Sequence, residues 1–237
     1  MINHRRRPAG KRNSTTTFRS DRITTSLRGF GPLGTSAILV ILAANVFFAP
    51  LGAVLVLAWA RWSRTPWREI GYAPPKSWIA SVGTGAAFGA VFKILLKTIV
   101  MPLLGAPAVN QAYHFVIGNT AAFLGLLVAV VIRGGFGEET LFRGYLFERL
   151  GKLFGTGGWA KTGMVLLTTG LFAPLHYFEQ GLPGVQQATV TGIVFGTIFA
   201  STGRIWVPMF AHAAFDVTAL ALIYWNVESE VAHLIFK

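Results

Sequence analysis

No cysteine occurs in the 237 residues, which excludes disulfides, a thiolate nucleophile and any zinc site built on thiolates. Charge is scarce as well: Asp, Glu, Lys and Arg make up 13% of the chain, against about 25% in a soluble domain. Acids are the scarcer sign, 9 against 21 Lys and Arg. Neither an HExxH helix nor a GxSxG elbow is present, so two common hydrolase signatures are missing. What the sequence has in abundance is apolar surface: 53% hydrophobic residues and a mean hydropathy of +0.54.

That surplus is spread over the chain. Apolar stretches cover residues 33–60 and 78–104, then shorter ones 119–132, 162–177, 185–201 and 205–225, most of them near the ~20 residues a spanning helix needs. The pattern predicts an all-α, polytopic transmembrane bundle of about six membrane segments, with residues 32–237 forming one membrane-embedded domain. Gly134, Gly135 and Gly137 precede a mixed stretch, residues 138–153, that is too polar to face lipid. It is expected to be a separate helix inside the bundle, beginning just before its carboxylates.

The net charge of +12 resembles a nucleic-acid footprint, but eight basic residues precede the first apolar segment, and basic residues beside a membrane set topology. Residues 1–31 are rich in Ser and Thr and lack hydrophobic periodicity, which predicts a disordered, cytoplasmic, basic tail. A transit peptide and an anionic-lipid anchor remain open for it; a nucleic-acid partner is not expected. The 33–60 run is longer than a signal-peptide core and is expected to be retained. Arg61, Arg64, Arg68 and Lys76 pull the next loop toward the same side as the tail. A single first span cannot satisfy both, unless Pro50 and Gly52 fold it into a hairpin; the tail is expected to prevail.

Ionisable groups within apolar segments need partners or a cavity. Glu139 and Arg143, four apart with the acid first, suit one helix face as an ion pair. Glu138 is rotated about 100° from Glu139 and is free to point elsewhere, a candidate general base. His176 follows Pro174, which should break its helix, and His212 and Asp216 share one helix face. Lys93 and Lys97 are expected to pack or to snorkel to an interface. Gly85 with Gly89, and Gly192 with Gly196, have the spacing of closely packed helices.

Two imidazoles with one or two carboxylates also suit zinc with an open position: Glu138, His176, His212 and Asp216 would be its ligands, although no cofactor is required in the favoured reading. A non-catalytic immunity or scaffolding protein, whose polar cluster locks helices together, and a small transporter using Glu138, Lys93 and Lys97 are the rival classes.

Glu138-Glu139-Thr-Leu-Phe-Arg143, Phe172-xxx-His176 and His212-xxx-Asp216 resemble, in order and spacing, the three motifs of the CPBP family, which includes the type II CAAX prenyl proteases. The resemblance spans about residues 119–225. It implies an intramembrane endopeptidase of the cell membrane, of bacterial inner-membrane kind, acting on membrane-anchored or lipidated peptides. In it Glu138 and His176 activate water, Glu139 and Arg143 support the site, and His212 with the last motif residue stabilises the oxyanion. Family members have been described as glutamate proteases and as metal-dependent ones. The last motif commonly ends in Asn; here Asp216 stands there, and an ionised carboxylate cannot donate to an oxyanion. Orienting His212 is the role expected for it.

Overall fold

The computed structural model describes residues 14–236, all helical or irregular, with no strand among them. Helix α1 (Ser14–Arg28) leads into a hairpin of α2 (Pro32–Phe47) and α3 (Ala49–Trp62). Then come α4 (Trp78–Leu103) and the long α5 (Thr120–Phe154), followed by α6 (Gly158–Phe172), α7 (Tyr177–Thr202), α8 (Trp206–Tyr224) and the short α9 (Glu228–Ala232). By length and composition α4, α5 and α8 can each cross a membrane; α1 and α2, bent by 60°, qualify together as a broken span. The exposed surface of these helices carries Leu39, Val40, Val91, Leu124 and Val128, side chains that suit lipid.

The first apolar run is not one span. Phe48 is extended (φ −159, ψ 102) and Pro50 opens the next helix, so 33–60 folds into the α2–α3 hairpin, with Asn45 packed against Gly52 near the turn. The competition between tail and loop therefore disappears, because both lie at one end of the bundle. Trp59 Nε1 donates to the Leu27 carbonyl (3.0 Å), Arg64 pairs with Asp21 and Arg28 with Glu69.

The same contacts correct the expectation of disorder over residues 1–31. Residues 1–13 lie outside the described part, but Ser14–Arg28 is helical. It gains from docking on α3 and its loop what its own unpatterned sequence could not supply.

Residues 119–132 and the polar stretch after them also form one helix rather than two. Asn119 caps it, its side chain accepting from Ala122 N (3.1 Å), and the chain continues through π-helical turns at Val131–Glu138 and Thr140–Tyr145. Glu138 therefore lies inside the helix and not at its N-terminus. The glycines serve packing instead.

Small residues set the helix spacing elsewhere. A Cβ at Gly89 would fall 2.0 Å from the Ala211 carbonyl oxygen, and one at Gly85 3.0 Å from that of Val207, so α4 lies directly on α8. Gly192 meets Thr169 and Gly196 meets Val165, which brings α7 onto α6. Lys93 and Lys97 do not snorkel: both are buried on α4, where Lys93 Nζ donates to Gln187 Oε1 (2.7 Å) and Lys97 pairs with Glu228 (2.8 Å). The inner face of α4 offers those partners, whereas its outer face offers lipid.

Gly89→Ala is expected to destabilise the bundle by about 1–3 kcal/mol through overpacking, read as a lowered unfolding midpoint in detergent. Gly83→Ala on the same helix, which meets nothing within 4 Å, should leave the midpoint unchanged or raise it.

Candidate functional site

The site forms where α5 crosses α8, at a contact that only glycine permits. A Cβ on Gly134 would stand 2.5 Å from Asp216 Oδ2 and 3.3 Å from His212 Nε2; one on Gly135 would meet Ala213 and the Met209 carbonyl. The widened turns of the π-helical stretch carry the next residues, Glu138 and Glu139, into the bundle side by side with different surroundings.

Glu139 is fully buried. Its Oε1 accepts from Arg143 Nη1 (2.9 Å) and from His212 Nδ1 (2.7 Å), so the expected i,i+4 pair forms and a histidine from α8 joins it. A carboxylate so paired only accepts, which places the Nδ1 proton on His212 and turns Nε2 toward the cavity. Asp216, expected to orient this ring, stands 3.6 Å from Nε2 instead. The orienting contact belongs to Glu139, because α5 approaches the Nδ1 edge of the ring while Asp216, one turn along α8, flanks the opposite edge.

Arg143 is sealed by aromatic faces, its guanidinium 5.0 Å from the Phe172 ring centre and 5.9 Å from that of Phe195, within reach of a cation–π contact. Phe172 also meets the His176 ring edge-on at 4.6 Å. It holds the two histidine-bearing elements in register. His176 closes a 3-10 turn, Ala173–His176, that Pro174 imposes at the end of α6, and its Nδ1 lies 3.3 Å from the Phe172 carbonyl.

On the open side lies a cavity of about 810 Å³, lined by Glu138, His176, His212, Asp216, Lys93 and Arg133 among others. Of the six residues singled out from the sequence, four thus face this space, while Glu139 and Arg143 stand behind it. Glu138 approaches Arg133 Nε and His212 Nε2, each at 3.8 Å. Lys93 Nζ lies 4.8 Å from the Phe215 ring centre.

Sequence reasoning missed Arg133, Gln187, Glu179 and Tyr113. Arg133 and Glu138 are five apart, a separation that a regular α-helix turns away by about 140° and a π-turn brings round. Arg133 also pairs with Glu179 (2.7 Å), which accepts from Tyr113 Oη (3.1 Å). Burial, then the Glu179 carboxylate, push the Tyr113 phenol up to about 12, so it stays a hydrogen-bond donor at neutral pH. An arginine closing an apolar run was the one available signal for this group.

The donor set proposed for zinc lines the cavity, yet among the described residues no three His, Asp or Glu side chains converge as a metal-holding group. Nδ1 of His212 is given to Glu139, and Nε2, turned to the cavity, has carboxylate neighbours at 3.6 and 3.8 Å.

Apolar helices enclosing a buried charge network and a polar cavity define an integral membrane protein with a chemically equipped site. Residues 120–218 match the family model described as type II CAAX prenyl endopeptidase Rce1-like, a span that takes in all six residues. Neither a curated protein nor a solved structure matches the chain. The match to the family model supports, in general terms, an intramembrane protease of the CAAX type.

Gly134→Ala should abolish most of any activity of this site, because the new methyl must displace Asp216 or the His212 ring. Gly125→Ala, on the same helix with nothing within 4 Å, should match the wild type in the same assay.

Proposed function

We propose that the protein is an endopeptidase that hydrolyses peptide bonds of membrane-anchored or lipidated substrates with a water activated by Glu138 and His176. The observation that carries the reading is the division of labour around one cavity. Glu138 and His176 face it from different helices, and His212 is aimed into it by a carboxylate that cannot itself reach substrate. The N-terminus would lie in the cytoplasm, and a bacterial inner membrane is the setting proposed.

In this mechanism Glu138 takes a proton from water held between it and His176, and the hydroxide attacks the scissile carbonyl. The oxyanion develops toward His212, which donates from Nε2 when both ring nitrogens carry protons; the Glu139 contact at Nδ1 fixes the ring for this. Glu138 then returns its proton to the leaving amine. Arg143 acts through Glu139, holding that carboxylate in place. Asp216, beside Nε2, flanks the oxyanion position rather than orienting the ring.

The chemistry is balanced by water, carbonyl and amine alone, and no step is routed through a metal. Addition of a chelator to the purified protein tests the zinc alternative directly: undiminished cleavage supports the glutamate mechanism, and loss restored by zinc sinks it.

Glu138→Gln and His176→Ala are each expected to lower cleavage of a membrane-anchored peptide library by about 10²–10⁴-fold, the usual worth of a general base, with no change in unfolding midpoint. Asp216→Asn should retain cleavage, since the amide can donate where the carboxylate cannot. A wild-type protein that cuts no member of a broad library would hand the site to the scaffold reading.

A further inference from the structure

We propose that the cavity opens on the membrane face opposite the basic loops, so that its peptide is presented from the non-cytoplasmic side. The two ends of the bundle can be assigned from contacts within the chain. At one end the Arg149 guanidinium donates to the Arg28 carbonyl, Ile205 N donates to the Gly71 carbonyl, and Trp206 Nε1 donates to the Ala73 carbonyl. These join the end of α1, the α3–α4 loop, the last turns of α5 and the α7–α8 turn. At the other end, Gly118 N donates to the Tyr224 carbonyl, Asn110 N to Glu228, and Tyr113 to Glu179. Those contacts join the α4–α5 loop, the start of α7 and the segment after α8.

Charge divides along the same line. The first end carries Arg22 and Arg28, Arg61, Arg64, Arg68 and Lys76, then Arg149, Lys152, Lys161 and Arg204. At the second end, residues 104–119, 173–181 and 225–236 contain no Lys or Arg; the basic groups nearest it, Lys97 and Arg133, lie within α4 and α5 and pair with Glu228 and Glu179, and Lys237 lies outside the described residues. Short loops next to spanning helices follow the positive-inside rule by their Lys and Arg, with Asp and Glu counting little. So one-sided a distribution puts the first end in the cytoplasm.

The cavity belongs to the second end. Its wall runs from Glu138 and His212 outward through Lys93, Ala219 and Ile223 to Asn110, Gln111, Tyr113, Glu179 and Glu228. None of the loops of the basic end contributes to it. Gln111, Ala112, Phe178 and Glu179 are exposed at its rim, whereas toward the basic end the site is closed by the buried Leu141, Tyr145, Ile70 and Ile205. The substrate class that follows is a membrane-anchored peptide whose scissile segment lies at or beyond the outer face, an exported chain rather than the cytoplasmic tail of a lipidated protein. That last step rests on the protease reading; the sidedness does not.

The absence of cysteine makes the test direct. Single-cysteine variants of the full chain, Gln111→Cys and Ser229→Cys at the cavity end and Ser77→Cys and Thr156→Cys at the basic end, are expressed in a bacterial host and treated with a membrane-impermeant maleimide. The first pair is expected to label in intact cells and the second only after permeabilisation. The reverse pattern, or equal labelling of both pairs in intact cells, overturns the proposal. A second arm offers two single-pass reporters carrying the same cleavable segment on opposite faces. Cutting of the outer reporter alone is expected, and cutting of the cytoplasmic one alone overturns the substrate class. If neither is cut while labelling follows the expected pattern, the protease reading falls and the sidedness stands.

Discussion

A carboxylate, a guanidinium and an imidazole share one hydrogen-bonded network inside an apolar bundle, and the helices around it are arranged to make that tolerable. Removing one partner from such a network leaves a buried charge uncompensated, at a cost of about 3–5 kcal/mol. Glu139 accepts from both Arg143 and His212 through one oxygen, while the rings of Phe172 and Phe195 cover the guanidinium. Four elements, α5, α6, α7 and α8, are thereby held at fixed positions, and the cavity is the space they leave.

Close approach is the second requirement, and glycine meets it. Along α4, Gly85 and Gly89 bring the backbone against α8; along α5, Gly134 and Gly135 do the same from the other side. In lipid no hydrophobic force drives helices together, so packing and polar contacts must do so. The lysines of α4 add to this from within, Lys97 tying the helix to Glu228 and Lys93 to Gln187. The surface that holds the bundle together is thus continuous with the wall of the site.

The N-terminal hairpin meets the cavity at its turn, where Asn45, Val46 and Ala49 line it. Val56 and Trp59 of α3 pack in one buried cluster with Leu141, Tyr145 and Phe172, closing the bundle below the cavity on its basic-end side. Arg149, lying 4.6 Å from the Trp59 ring centre and paired with Glu148, joins that hairpin to the end of α5. The basic end is consequently the sealed end, and asymmetry of charge and asymmetry of access coincide.

The all-α membrane class followed from composition and run length, because lipid admits few ways to satisfy a backbone. The six polar residues were legible because ionisable groups in apolar segments are too costly to be incidental, and their fourfold spacings survived intact in the 139–143 and 212–216 pairs. Three things were not legible. A single extended residue at Phe48 converted one long run into a hairpin, a local event that hydropathy averages away. The π-turns kept α5 continuous past its glycines, since widening a helix leaves no compositional mark. The partner of His212 Nδ1 was decided by which helix lies against which edge of the ring. Periodicity within a segment could be read from one dimension; contacts between segments, and with them the orienting role of Glu139 and the sidedness of the cavity, exist only once the helices are packed.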